Sequence, residues 1–180
     1  MRIRHIIIAI LGTAAVLSCA EQERKLTIAD QEAAIDNYVT QNFADYPVVY
    51  KDGSVRVNII DSTAVESADS LEYGDTLTFY YAGYTFNNAP TSLFCTNNET
   101  VAQENGFTTS EADYSAKELV MTRHCLVSGL EHGLLGVRED GHYIILFSAE
   151  HGFYNNYVYN IPKLSALAYE IWITELRKQQ

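Results

Sequence analysis

The spacing of apolar and polar positions divides the chain into an apolar leader, one amphipathic helix and a series of short strands. Residues 1–5 are basic, and an apolar run from 6 to 17 follows, interrupted only by Gly12 and Thr13. Residues 20–26 are polar. Over 27–43, Ile28, Ala34, Ile35, Tyr38, Val39 and Phe43 recur near helical spacing. Asp30 and Glu32 fall in the first turn, where the helix dipole favours acids. A helix with an apolar stripe packed into a core is predicted there. The period then changes to two. Val48-Val49-Tyr50 and residues 55–60 flank Asp52-Gly53, the mark of a tight hairpin. Residues 63–70 are polar and read as loop, and 71–75 as a turn. Residues 76–86 form a strong strand pattern, 93–95 a short one, and 118–125 another, with a long polar loop or flap over 96–115. Leu130, Leu134 and Val137 share one face of a short helix, with Gly141 as its left-handed cap. Strands over 142–147 and 166–176 enclose an aromatic, Asn-containing loop over 149–159 and a turn at Ile161-Pro162. The expected class is α+β: an antiparallel sheet curved around a short helix, preceded by a helix and a hairpin.

The start of the chain has a meaning of its own. A basic segment, a short apolar stretch and a small residue, Ser18, followed by Cys19, have the order of a secretory signal. The apolar run is shorter than the roughly 20 residues a spanning helix needs. Val16-Leu17-Ser18-Cys19 resembles the lipobox of bacterial lipoproteins. This implies removal of residues 1–18, lipidation of Cys19 and a tether over 19–26. The expected location is the cell envelope, on a bacterial membrane (the outer one by preference), facing the periplasm or the surface. Each acyl methylene adds about 0.8 kcal/mol of membrane affinity, so two or three chains anchor firmly. The net charge of −11 becomes −13 once Arg2 and Arg4 are removed, which excludes nucleic acid as a partner. A monomer is expected. Of three cysteines, Cys95 and Cys125 then remain. In an oxidising compartment they can close a loop of about 30 residues, worth about 3–4 kcal/mol in the chain-entropy model, or stay as two free thiols.

From Tyr73 to Leu176 the chain resembles the FKBP-type peptidyl-prolyl cis-trans isomerases. Gly74-Asp75 and the strand ending Tyr81-Ala82-Gly83 look like the family's "GD…HYTG". Residues 126–134, Leu-Val-Ser-Gly-Leu-Glu-His-Gly-Leu, look like "VIxGWxxGL". Phe153-Tyr154 falls at the "AYG" tyrosine, and Ile161-Pro162 with residues 167–171 fits "IPPxxxLxFxVEL". The resemblance implies an FKBP-like domain over 73–180, with 27–72 as an N-terminal extension. It also implies an apolar cleft for proline-containing segments of exported polypeptides, with no cofactor and no metal. Carried over residue by residue, Tyr154 would donate its hydroxyl to the bound carbonyl. Tyr81 and Phe94 would form catalytic walls, while Leu126, Val127, Leu130, Ile161 and Tyr169 would bind substrate. Three positions depart from the family: Cys95 stands where it has an aspartate, Leu130 where it has the floor tryptophan, and Asn155 where it has a glycine. The alternative is therefore a weakly active or inactive chaperone or peptide-binding lipoprotein on the same fold.

Other chemistries fit less well. Cys95, His124, Cys125 and His132 match no usual metal-ligand spacing. His124 and Cys125, adjacent in an expected strand, would point to opposite faces and could not act as a protease pair. Glu131 and His132 read as the solvated face of the short helix.

Overall fold

A computed structural model describes residues 2–60, 69–107 and 113–179, with side chains from residue 21 onward. Helix α1 spans Arg2–Asn42 and so takes in both the helix expected over 27–43 and the polar segment before it. The hairpin forms as expected: β1 (Val48–Lys51) pairs with β2 (Ser54–Ile60) in register Val48↔Val57. Asp52 and Gly53 both have positive φ, 45° and 79°, as a two-residue turn of this hand requires. Then follow β3 (Thr76–Phe86), β4 (Pro90–Thr96), the short helix α2 (Glu99–Glu104) within the long polar loop, β5 (Lys117–Val120), helix α3 (Ser128–Leu134), β6 (His142–Phe147) and β7 (Ala166–Arg177).

The strands form one antiparallel sheet in the order β1-β2-β6-β7-β3-β4, with β5 also on β3. The hairpin, expected as part of an extension ending at residue 72, therefore supplies two strands of this sheet. The class is α+β, as the periodicity implied.

Alternation along the strands splits the core into two clusters. Tyr143, Ile145 and Phe147 of β6 and Leu167, Tyr169 and Ile171 of β7 face inward with Leu77, Leu130 and Leu134. Leu146, Ala166 and Ala168 face the other way and pack with Val55, Val57 and Phe86 under Ile35 and Val39 of α1. β6 is thus apolar on both faces, which explains its unbroken Tyr-Ile-Ile-Leu-Phe run. Gln31 ties α1 down: its side-chain amide donates to Leu164 O at 2.7 Å and accepts from Ala149 N at 2.9 Å.

Helix α3 lies against β6 because residues 129 and 133 are glycine. A Cβ at Gly129 would overlap the Phe147 ring, and one at Gly133 the Ile145 side chain. At its far end, buried Arg56 of β2 donates from Nη1 to Gly133 O (3.0 Å) and Leu135 O (2.8 Å). A cation there suits both the open carbonyls and the helix dipole. The left-handed residue after α3 is Gly136, φ 90°, with Asp140 at 58° in the next turn, rather than the expected Gly141. Gly141 is needed for space instead, since a Cβ would overlap the Tyr143 ring. The strand expected over 118–125 ends at Val120. The chain then turns, with Cys125 N bonded to Thr122 O and His124 in a left-handed conformation.

Candidate functional site: an aromatic cleft on the inner face of the sheet

Tyr81 of β3, Cys95 of β4, Leu126 just before α3, Leu130 of α3 and Tyr169 of β7 converge on one cavity of about 250 Å³. Phe79, Leu119 and Ile171 complete its apolar wall, and the exposed Lys117 stands at its rim. Strand alternation accounts for most of this. Phe79 and Tyr81 point inward from β3, and Tyr169 and Ile171 from β7, where Tyr81 pairs with Ile171. β4 departs from alternation. Its register with β3 shifts between Gly83 and Tyr84, and both Phe94 and Cys95 pack against the inner cluster. Gly83 makes room for them, because a Cβ there would press on Phe94 and on Cys95 Sγ at 2.8 Å. Phe94 meets Tyr169 edge-on, with ring centroids 5.7 Å apart and planes at 84°. Tyr169 in turn stacks on Phe147 at 6.0 Å.

The backbone at Tyr81 is held by Asn97, a residue the sequence reading did not single out. Between β4 and β5 the edge of β3 would lose its partner. Asn97 Oδ1 accepts from Tyr81 N at 2.7 Å, and its amide donates to Ser115 O at 2.9 Å and to Phe79 O at 3.3 Å. The side chain thus stands in for a missing stretch of strand. An Asn between a short strand and a polar loop is only a faint sequence signal for such a bridge.

Apart from Lys117 at its rim, the cleft is lined by uncharged side chains. Burial pushes the Cys95 thiol up to about 12, against a lowering hydrogen bond from the Gly83 backbone. Burial likewise raises the phenols of Tyr81 and Tyr169, with the nearby thiol adding to both shifts. Cys95 and Cys125 are both free, so the expected alternative of a bridge is not the one the fold adopts.

Not every expected site residue lies here. Ile161 is buried in the inner cluster, held by a short bridge to Val158, and Val127 caps α3 and packs on the same cluster; neither lines the cavity. Tyr154 is elsewhere. It is 40% exposed and borders a recess against α1 with Lys25, Ile28, Ala29, Glu32 and Glu150. The cause is local. After the single 3₁₀ turn Ala149–His151, Tyr154 N bonds to Ala149 O, and its φ of 50° swings the ring toward the helix, while Phe153 packs inward instead. Glu131, expected on a solvated face, is 3% exposed. It accepts from the Tyr73 hydroxyl at 2.8 Å, and the Arg123 guanidinium lies 4.6 Å above the Tyr73 ring. The side chain of Cys19 lies outside the described residues. Among those residues no helix is long and apolar enough to cross a membrane.

Two other features compete for attention. A larger recess, about 530 Å³, lies beside α1 and is bordered by polar residues such as Thr27, Asp30, Gln31 and Asn87. It is the gap left where a helix crosses a sheet and brings no reactive groups together. Glu32, Glu150 and His151 place one ligand atom each within 4.8 Å of one another, but both carboxylates are exposed, and Glu32 also accepts from Ser148 at 3.3 Å.

No protein-family model and no curated protein matches this sequence. Solved structures do. A peptidyl-prolyl cis-trans isomerase from Pseudomonas syringae superposes with a TM-score of 0.59 at 8% identity, over 86% of this chain and 96% of that one. Wheat FKBP73, solved with its 3 FKBP domains, gives 0.58 at 12% identity, over 74% of this chain; the chain spans about half, 52%, of its length. FkpA from Escherichia coli gives 0.54 at 17% identity, over 92% of this chain and 68% of that one. At such identities the likeness is one of fold. The chain has the FKBP-like fold, a curved antiparallel sheet around a short helix.

Proposed function

We propose that this protein is a peptidyl-prolyl cis-trans isomerase of the cell envelope, tethered through lipid on Cys19 and acting on proline-containing segments of exported polypeptides. The observation that carries the reading is the convergence of Tyr81, Cys95, Leu126, Leu130 and Tyr169 on one apolar cavity, four of them residues that the sequence resemblance assigned to a cleft. The chemistry asked of such a cleft is modest. Rotation about a peptide bond costs about 18–20 kcal/mol because resonance holds it planar. An X–Pro bond populates both isomers and exchanges in tens to hundreds of seconds. No nucleophile is needed; the site must bind the twisted amide better than the planar one. A twisted carbonyl has lost its charge-separated resonance form and is less costly to take out of water. An apolar pocket walled by Tyr81, Leu130 and Tyr169, with Phe94 packed edge-on behind Tyr169, favours it on that ground.

The test is the cis-to-trans rate of a Leu-Pro tetrapeptide, followed by protease coupling or exchange NMR. The full mature chain should accelerate it well above the uncatalysed rate, and Leu130→Asp, which places a charge on the cavity floor, should reduce the acceleration more than tenfold. A wild-type rate equal to background would sink the isomerase reading. A second reading, a peptide-binding chaperone without turnover, is favoured by the neutral Cys95 thiol where the family carries a carboxylate; it predicts peptide binding with no acceleration. The anchor has its own test. Cys19→Ala should move the protein from the membrane fraction to the soluble one and abolish labelling by a radioactive fatty acid. Unchanged fractionation would refute lipidation at this residue.

A further inference from the structure

The cleft needs a donor for the substrate carbonyl, and Tyr154, which the sequence resemblance offered, points toward α1 instead. The hydroxyl-bearing residues that line the cleft are Tyr81 and Tyr169. Two other phenols in or against the inner cluster are already engaged: Tyr73 donates to Glu131 (2.8 Å) and Tyr143 accepts from Arg138 N (2.9 Å). Among the described residues no side-chain hydrogen bond engages the hydroxyl of Tyr169 or of Tyr81. The Tyr169 ring cannot easily turn away, because it is clamped edge-on by Phe94 at 5.7 Å and stacked on Phe147 at 6.0 Å. Tyr169 is also the position at which the family pattern quoted above, "LxFxVEL", has phenylalanine, so the hydroxyl is a feature of this chain.

We propose that the Tyr169 hydroxyl is the hydrogen-bond donor to the carbonyl of the bound X–Pro segment, in place of a donor from the loop after β6. The inference rests on the isomerase reading and gives its site a catalytic residue. A buried phenol suits the task. Burial keeps it protonated throughout the physiological range, so it stays a donor. A fixed donor surrounded by apolar side chains is worth more than the same group in water, and it costs no reorganisation when the amide twists. Tyr81, on the neighbouring strand and facing the same cavity, is less buried and lacks the double ring clamp.

The experiment compares wild type with Tyr169→Phe and Tyr154→Phe, each shown to be folded by its thermal transition, using kcat/KM for the Leu-Pro tetrapeptide and its affinity by NMR titration. Tyr169→Phe keeps the ring and both aromatic contacts and removes only the hydroxyl. It should lower kcat/KM about tenfold; if wild type binds without turnover, it should weaken binding by a similar factor. A loss of threefold or less in the measurable quantity, or a tenfold loss confined to Tyr154→Phe, overturns the assignment while leaving the isomerase reading intact. A wild type that neither binds nor isomerises the peptide overturns that reading and this one with it.

Discussion

The two faces of the sheet are built to different plans. The inner face carries aromatic rings, a two-turn helix set close on glycines 129 and 133, and a buried arginine and glutamate that hold the ends of the assembly together. It leaves an apolar cavity of about 250 Å³. The outer face carries small aliphatic residues, Val55, Val57, Ala166 and Ala168, closed by Ile35 and Val39 of α1. Small side chains let a helix lie close to a strand surface, and the result is a lid; of the rings on this side, Phe43 and Phe86 pack edge-on against Tyr38, and Tyr38, Tyr84 and Glu170 border a separate recess of about 280 Å³. A cleft requires large rigid rings that cannot collapse into the space between them; a seal requires side chains that can. The same sheet does both because β-strands send alternate residues to opposite sides.

This contrast can be broken from either side. Phe147→Ala should have the largest effect. Phe147 is fully buried, stacks on Tyr169 and lies where a Gly129 Cβ would be. Its loss should cost about 4 kcal/mol in a urea titration and abolish peptide binding, since it removes both core volume and support for the cleft. A cost below about 1 kcal/mol would show that the inner face does not depend on the α3–β6 contact. Ile35→Ala, on the outer face, should cost about 3 kcal/mol and leave kcat/KM per folded molecule unchanged. A proportionate fall in kcat/KM would mean that α1 shapes the cleft through the sheet. Asp75→Asn strains the sheet as a whole, because Asp75 fastens the start of β3 to the end of β7. Its carboxylate accepts from Glu72 N (2.8 Å), Gln179 N (3.0 Å) and Lys178 Nζ (2.8 Å). Burial opposes its charge, but those donors outweigh burial and hold the carboxyl below its ordinary 3.8. A depressed pKa contributes stability that is present above 3.8 and is lost as pH falls through the folded value. The variant should therefore be about 2 kcal/mol less stable at neutral pH, and the difference should shrink as pH drops below 3.8. A difference independent of pH would place the effect in packing rather than in charge.

The regular elements were legible and the irregular ones were not. β3, β6 and β7 begin where the alternation begins, because a strand buried on one or both faces records its surroundings residue by residue. Polar residues inside regular elements misled. Glu131 looked solvated because a single helix turn does not reveal that Tyr73, 58 residues earlier, folds over it. Arg56 and Asn58 occupy the polar positions of an alternating strand, yet that face lies under α3. Tyr154 carried the right residue type at the right place in the family pattern. The direction of its side chain depends on one left-handed backbone angle and a bond to Ala149, neither of which a residue type specifies. The cleft's composition was therefore readable from strands, while its donor was not, because loop geometry decides it.

The order of strands bears on how the chain reaches this state. β6 and β7 lie in the middle of the sheet, between β2 on one side and β3 on the other, yet both come later in the chain than either neighbour. β3 pairs with β7 from Thr76↔Arg177 to Phe86↔Ala166, so its main partner is 80 or more residues away. Closing loops of that length comes before any reward from the contacts they make, and such topologies fold slowly. A chain delivered from its N-terminus would hold β2 and β3 apart until β7 arrived, with their hydrogen-bonding edges and apolar faces uncovered. A protein proposed to hasten the folding of others would then spend its own early life as a chain awaiting its centre.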